Sequence, residues 1–275
     1  MANLAETYRH QGRLEEAEQL LVQVIGSSKS KLGEDHPDTL ASMSNLASTY
    51  LGQGQREEAE QLYVQVIETS KSKLGEDHPN TLTGMNNLAS TYWNLGRWEE
   101  AEQLFVQVIA KRKSKLGEDH PSTLESMANL AETCRHQGRL EEAEQLLVQV
   151  IGPSKSKLGK DYPDTLTRMN NLASTYLEQG QWEEAEQLFV QVIETSKSKL
   201  GENHPNTLTR MNNLASTYWK QRRWEEAREL FAEVAETRKT KLGADHPDTL
   251  MSMANVAFTL EFPGRRSEAI DLLRT

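Results

Sequence analysis

Residues 39–80 read TLASMSNLASTYLGQGQREEAEQLYVQVIETSKSKLGEDHPN, and this stretch decides the fold. Leu40, Met43, Leu46, Ala47 and Tyr50 recur at three- and four-residue spacing and draw one apolar stripe along a first helix. Gly52-Gln53-Gly54 interrupts it. From Glu57 to Leu74 a second stripe runs through Ala59, Leu62, Tyr63, Val66 and Ile67. Gly75 lies just beyond that run as a helix-ending glycine, Lys71 and Lys73 suit the negative end of the helix dipole, and Pro79 suits the first turn of the next helix. The stretch is therefore two helices joined by tight turns, with Met43, Leu46, Tyr50, Ala59 and Leu62 expected between them.

The same text recurs outward in both directions. Asn-Leu-Ala begins at Asn3, Asn45, Asn87, Asn129, Asn171 and Asn213, and Asn255 opens the variant Asn-Val-Ala, always at a step of 42 residues. Gly33 to Gly243, Pro37 to Pro247 and Ala17 to Ala269 keep that step. The expected units are 39–80, 81–122, 123–164, 165–206 and 207–248, flanked by partial units 1–38 and 249–275. Segments 2–43 and 128–169 differ only at Tyr8/Cys134, Ser27/Pro153, Glu34/Lys160, His36/Tyr162, Ala41/Thr167 and Ser42/Arg168, so a block of three units is used twice. The partial ends suggest a piece of a longer protein. Met1-Ala2-Asn3 and Leu272-Leu273 supply no polar cap, which leaves end-to-end packing open.

A helical period near 42 also suits HEAT or armadillo arrays, so residue order has to identify the family. Counting Leu40 as position 1, Leu46 stands at 7, Ala47 at 8, Tyr50 at 11, Gly54 at 15, Ala59 at 20 and Tyr63 at 24. This order resembles the tetratricopeptide repeat, with Met43 where that family often has Trp and a second helix lengthened by about eight residues. The longer unit, with Leu-Gly-x-x-His-Pro-x-Thr-Leu, is similar to the repeats of kinesin light chains. It also resembles the repeat regions of fungal and bacterial nucleotide-binding (NB-ARC/NACHT) signalling proteins. The resemblance implies an all-α, right-handed solenoid of about seven helix-turn-helix repeats whose first helices line a concave groove.

On that reading the face of the first helix opposite the apolar stripe meets a ligand. It carries Ala41, Ser44, Asn45, Ser48 and Leu51 in one unit and Thr83, Asn86, Asn87, Ser90 and Trp93 in the next, without a charge. The expected groove residues are Asn45, Asn86, Asn87, Ser90, Trp93, Asn129, Asn170, Asn171, Ser174, Asn212, Asn213, Ser216 and Trp219. An Asn amide can donate to a peptide C=O and accept from a peptide N–H at once. The resemblance gives the Asn45, Asn87, Asn129, Asn171 and Asn213 ladder a grip on ligand backbone; the alternative is that these amides bond the neighbouring helix and set the repeat geometry. Trp93 and Trp219 lie off the apolar stripe and suit groove anchors, whereas Trp98, Trp182 and Trp224 lie on it and are expected in the core.

Other clusters carry blander readings. His36, His78, His120, His204 and His246 each precede a helix-opening Pro and are spaced about a repeat apart, which suits capping or packing better than metal ligation. Glu57-Glu58-x-Glu60 and its copies read as solvated helix starts. Lys111-Arg112-Lys113 is a denser positive spot. No phosphate-binding glycine loop, Gly-x-Ser-x-Gly elbow or zinc spacing is present, so no catalytic residue, cofactor or metal is expected.

Composition agrees with a thin stack of repeats. The 275 residues are 36% hydrophobic with mean hydropathy −0.69, low for one globular core. Net charge is −10, which opposes nucleic-acid binding. No apolar run reaches the roughly 18 residues of a membrane span, and the N-terminus shows no signal-peptide pattern. One cysteine, Cys134, permits no intrachain disulfide, and a cytoplasmic setting is expected. The expected function is a non-enzymatic scaffold binding a protein or peptide, kinesin-light-chain-like. No heptad region for a motor chain is present, and a ligand-sensing array of a nucleotide-binding protein or an architectural spacer are the alternatives.

Overall fold

A computed structural model describes residues 2–261, in which thirteen helices and no strand are found. In chain order they are α1 (Ala2–His10), α2 (Leu14–Leu32), α3 (Pro37–Gly52), α4 (Arg56–Leu74), α5 (Pro79–Asn94), α6 (Trp98–Leu116) and α7 (Pro121–His136). There follow α8 (Leu140–Lys157), α9 (Pro163–Gln179), α10 (Trp182–Leu200), α11 (Pro205–Lys220), α12 (Trp224–Leu242) and α13 (Pro247–Glu261). The second helix expected around Ala269, and the C-terminal end expected to lack a cap, lie outside the described residues. Odd-numbered helices are the first of each pair, and all but α1 begin at the repeated proline, as its fit to a first helical turn implies.

The chain divides into two compact units, Met1–Arg139 and Leu140–Thr275. In each, every helix packs on its chain neighbour, and successive first helices also touch: α1 with α3, α3 with α5, α5 with α7, and α9 with α11. Successive second helices make no comparable contact. The first helices therefore crowd toward the inner side of each stack.

The corner between pairs shows why His-Pro-x-Thr-Leu recurs. His36 Nδ1 accepts a hydrogen bond from the Asp38 N–H at 3.2 Å, Pro37 needs no donor partner, and Thr39 Oγ1 donates to the Gly33 carbonyl at 2.9 Å. His78, His120, His204 and His246 cap in the same way, so the histidine ladder is a set of N-caps. Gly33 and its copies turn the chain at positive φ, Gly33 itself at +102°, which an L side chain resists. At the corner before α9, Tyr162 offers no side-chain cap and the buried Thr165 hydroxyl has no partner. The preceding α8, which contains Pro153, stops one residue short of its counterparts.

The apolar stripes close into cores. Met43, Leu46 and Ala59 are buried as expected, but Tyr50 and Leu62 are only half-buried and pack against the cluster edge. Their long side chains span from the helix seam to its rim. Trp98, Trp182 and Trp224 likewise are half-buried rather than core, because each is the first residue of its second helix and sits at the end of the seam.

Two charged patterns differ from the sequence reading. The last Glu of each acidic helix start is a bridge to the following pair: Glu60 accepts from Arg97 at 2.8 Å, Glu102 from Gln137 and Arg139 at 3.0 and 2.7 Å, and Glu186 from Gln221 and Arg223 at 2.9 and 2.8 Å. The Lys111-Arg112-Lys113 spot is not a free basic patch: Lys111 pairs with Glu76 and Asp77, Lys113 with Glu118, and Arg112 is buried.

Arg222 occupies the turn position that glycine holds at Gly54, Gly96, Gly138 and Gly180, and it is the one non-glycine residue at positive φ (+65°) among the described residues. A left-handed L-residue costs about 1–2 kcal/mol, part of which glycine gives back through its freer unfolded chain. Arg222→Gly is expected to stabilise the protein by about 0.5–1 kcal/mol, read from the midpoint shift in urea unfolding at unchanged slope.

Candidate functional site

The inner face of each stack is built from the first helices, and the structure separates its asparagines into two kinds. Asn86 is 3% exposed, and its Oδ1 accepts from Ser126 Oγ at 2.7 Å. It therefore faces the next first helix and not open space, contrary to the expectation that it lines a groove. Ser126 in turn accepts from the buried Arg112 at 2.7 Å, and Arg112 also donates to the Ser122 carbonyl at 2.7 Å. Burial pushes the Arg112 guanidinium below its usual range, with the Glu125 carboxylate at 3.6 Å opposing that shift.

Asn45, Asn87, Asn129, Asn171 and Asn213 are half-buried along the inner face. Asn45 and Asn129 make no side-chain hydrogen bond among the described residues. Asn87 lies beside the Tyr63 hydroxyl, which is held by Ser48 at 2.6 Å and whose acidity burial weakens. In the second unit part of the ladder is structural: Asn255 donates to Asn212 Oδ1 at 2.9 Å, and Asn213 reaches Asn170 Oδ1 only at 3.5 Å, as does Asn170 the Asn171 Oδ1. Ser90 and Ser216 donate back to the carbonyls of Asn86 and Asn212 at 3.1 Å, and Ser174, at the same position of α9, is half-buried.

Three of the expected residues converge on one opening. Ser90 and Trp93 of α5, Phe105 of α6, and Asn129 and Glu132 of α7 line a cavity of about 200 Å³. The Trp93 indole Nε1 is buried without a hydrogen-bond partner, and the ring meets the His136 ring edge-on at 4.9 Å. Glu132 is drawn aside by Arg135, with His136 at 3.4 Å. At the equivalent place in the second unit stands Phe258, whose ring lies 5.1 Å from that of Trp219, while Trp224 packs on Trp219 at 5.7 Å. The two tryptophans expected to act alike thus differ: aromatic rings flank Trp219, whereas Trp93 borders a cavity. Glu132 was legible as the copy of Phe258 three repeats earlier, but only packing reveals that the exchange leaves space beside Trp93.

The two asparagine kinds are separable by stability. Asn86→Ala removes the acceptor from a buried hydroxyl and is expected to cost about 1–3 kcal/mol in urea unfolding. Asn129→Ala, which breaks no internal bond, is expected to change it by less than about 0.5 kcal/mol.

Comparison with known proteins places this geometry. The tetratricopeptide repeat description matches residues 1–72, 57–114, 81–152, 154–198, 164–240 and 209–275. No curated protein matches the chain significantly. Among solved structures, a Podosopora anserina protein of nearly identical TPR-like repeats, provisionally a kinesin light chain, is 33% identical with a TM-score of 0.65 over 75% of this chain and 98% of that one. BtubC (BKLC) of P. vanneervenii shares the fold at 16% identity and TM-score 0.69, over 85% of this chain and 94% of that one. A Pyrococcus horikoshii signal transduction ATPase with numerous domains, bearing a tetratricopeptide repeat sensor, shares it at 14% identity and TM-score 0.70; this chain is 99% covered and spans 40% of that protein. With helix pairs repeating at one step and the family description spanning nearly every residue, the chain belongs to the tetratricopeptide repeat family.

Proposed function

We propose that this protein-interaction scaffold grips an extended peptide segment along the inner face of its first helices, with Trp93 as anchor and the Asn45, Asn87 and Asn129 amides as backbone holders. The observation that carries the reading is the cavity of about 200 Å³ in which Trp93, Ser90 and Asn129 meet. An indole N–H buried without an acceptor costs stability unless a ligand carbonyl supplies one, and the half-buried Asn45 and Asn129 amides, with no internal partner among the described residues, suit alternate C=O and N–H groups of an extended chain. Asn171 and Asn213 with Ser174, Ser216 and Trp219 are proposed to offer a second, more internally bonded surface in the other unit. No catalytic role, cofactor or nucleic acid enters this reading, and a reducing, cytoplasmic setting suits the buried thiol of Cys134.

The use of one three-unit block twice favours a second reading, a ligand-sensing array within a larger signalling protein. A nucleotide-binding domain encoded beside these repeats would support it, and a coiled coil would support the light-chain type.

The test is selection of random dodecapeptides on the protein, followed by fluorescence anisotropy of the selected peptides. A neutral hydrogen bond contributes on the order of 0.5–1.5 kcal/mol, so Asn129→Ala is expected to weaken binding about three- to tenfold. Trp93→Ala is expected to cost about 2 kcal/mol or more, and Asn45, Asn87 and Asn129 replaced together more than any one of them. Unchanged affinity for all of these variants, with melts like the parent's, would assign the inner face a structural role only.

A further inference from the structure

Where one helix pair meets the next, two positions fourteen residues apart face each other across the corner. At four junctions one of them is a buried arginine and the other a serine: Arg112 with Ser126, Arg168 with Ser154, Arg210 with Ser196, and Arg238 with Ser252. The guanidinium comes from the second helix in the outer two cases and from the first helix in the middle two, yet it fills the same place. All four arginines are at most 7% exposed. At the first junction the pair is Ser28 and Ser42, and the Ser42 hydroxyl is satisfied by the Asp38 carbonyl.

The junction between α4 and α5 breaks the rule. Its two positions are Ser70 and Gly84, so the guanidinium is missing and the side chain opposite has been cut back to hydrogen. Ser70 is 1% exposed, and its Oγ has no hydrogen-bond partner. Ser70 lies on a cavity of about 130 Å³, room for more than a single water, whose wall also includes Ala41, Ser44, Asn80 and Thr83. These are the counterparts of the groups that surround the guanidinium elsewhere. Arg112 donates to the carbonyl of Ser122, reaches Asn86 through Ser126 and lies 3.6 Å from Glu125; those three residues correspond to Asn80, Ser44 and Thr83. Arg238 donates to Thr209 Oγ1, which corresponds to Ala41. Leu40 and Val66 close the wall on the core side, and Asn45 and Asn87 of the inner face border it, so the opening faces the proposed peptide path.

We propose that this junction is a receptor for a guanidinium group, the arginine side chain of the bound peptide, which enters from the inner face and takes the place that Arg112, Arg168, Arg210 and Arg238 take from within. A guanidinium supplies donors and no acceptor, which matches a buried serine oxygen without a partner and the second lone pair of the Asn80 carbonyl. Lysine presents a compact, strongly hydrated ammonium that cannot reproduce the planar fork. The net charge of −10 favours the approach of a cationic ligand. The inference rests on the peptide-groove reading and names one residue of its ligand.

The probes are the peptide Ac-Gly-Arg-Gly-NH₂ and its citrulline and lysine counterparts, titrated into the ¹⁵N-labelled protein. The arginine peptide is expected to shift the Ser70 and Gly84 amides saturably, and the other two to bind at least about tenfold more weakly. Gly84→Arg should fill the cavity from within and abolish those shifts. Its new Cβ meets Ile67 Cγ1 at 3.1 Å, so the buried Ile67 must give by a few tenths of an ångström, an accommodation already made where Arg168 and Arg210 stand at the equivalent place with Ile151 and Ile193. Ser70→Arg, on the pattern of Arg112, serves if Gly84→Arg melts early. Absence of saturable shifts, equal binding of the citrulline peptide, or undiminished binding to a folded filled variant would overturn the proposal. Selected dodecapeptides separate the two readings. Affinity that falls with Trp93→Ala but not with Gly84→Arg keeps the groove and removes the receptor; the reverse keeps the receptor and removes the Trp93 groove.

Discussion

Packing of the paired helices over fully sealed alanines is the constraint on which the other features depend. Ala47 and Ala59, Ala89 and Ala101, Ala173 and Ala185, and Ala215 and Ala227 are all 0% exposed, so no larger side chain fits at either position without forcing the pair apart. With that distance fixed, Leu40, Met43 and Val66 fill the space toward the preceding pair, where Leu21 and Ile25 meet them, and the His-Pro corner has only to reverse the chain. The crowding of first helices follows, since α1 touches α3, α3 touches α5, α5 touches α7 and α9 touches α11 while the longer second helices make no comparable contact.

The fold was legible because periodicity, glycine corners and capping residues all repeat at one step and agree with one another. The histidine caps could be read from the proline that follows each of them. What periodicity could not supply was the identity of contacts between pairs, because a residue's partner lies about 35 to 43 positions away, as in Gln137 with Glu102 or Asn255 with Asn212. Asn86 and Asn87 illustrate the difficulty. They are adjacent, chemically identical and both on the polar side of the stripe, yet one is sealed under Ser126 and the other faces the inner surface. Helix rotation by about 100° per residue is enough to separate their fates. The tryptophans failed for a similar reason, since position on the stripe gives a direction but not a depth, and Trp98 stands where the seam opens.

Departures from the repeat carry more functional information than the repeat itself. A side chain that every unit has must serve the packing that every unit shares. Glu132, in place of Phe258, borders one cavity on the inner side of the first unit, and Ser70, whose opposite position is Gly84 in place of arginine or serine, borders another. Both exchanges border asparagine amides of the same ladder, Asn129 at one and Asn45 with Asn87 at the other.

The arginine–serine junctions also bear on how such an array can be lengthened or shortened. Near-identical units invite unequal crossover, and exchange at most points reproduces an intact unit. The stretch between the paired positions is different. A crossover there between a unit with arginine on the second helix and one with arginine on the first would leave two guanidinium groups facing each other in a buried space in one product, and none in the other. The first product is penalised by desolvated like charges, whereas the second is tolerated and gains a cavity. Ser28 and Ser42 have the form of that second product, and Ser70 with Gly84 differs from it by the loss of one further hydroxymethyl group, so rearrangement followed by a single substitution leads from a structural ion to an open receptor.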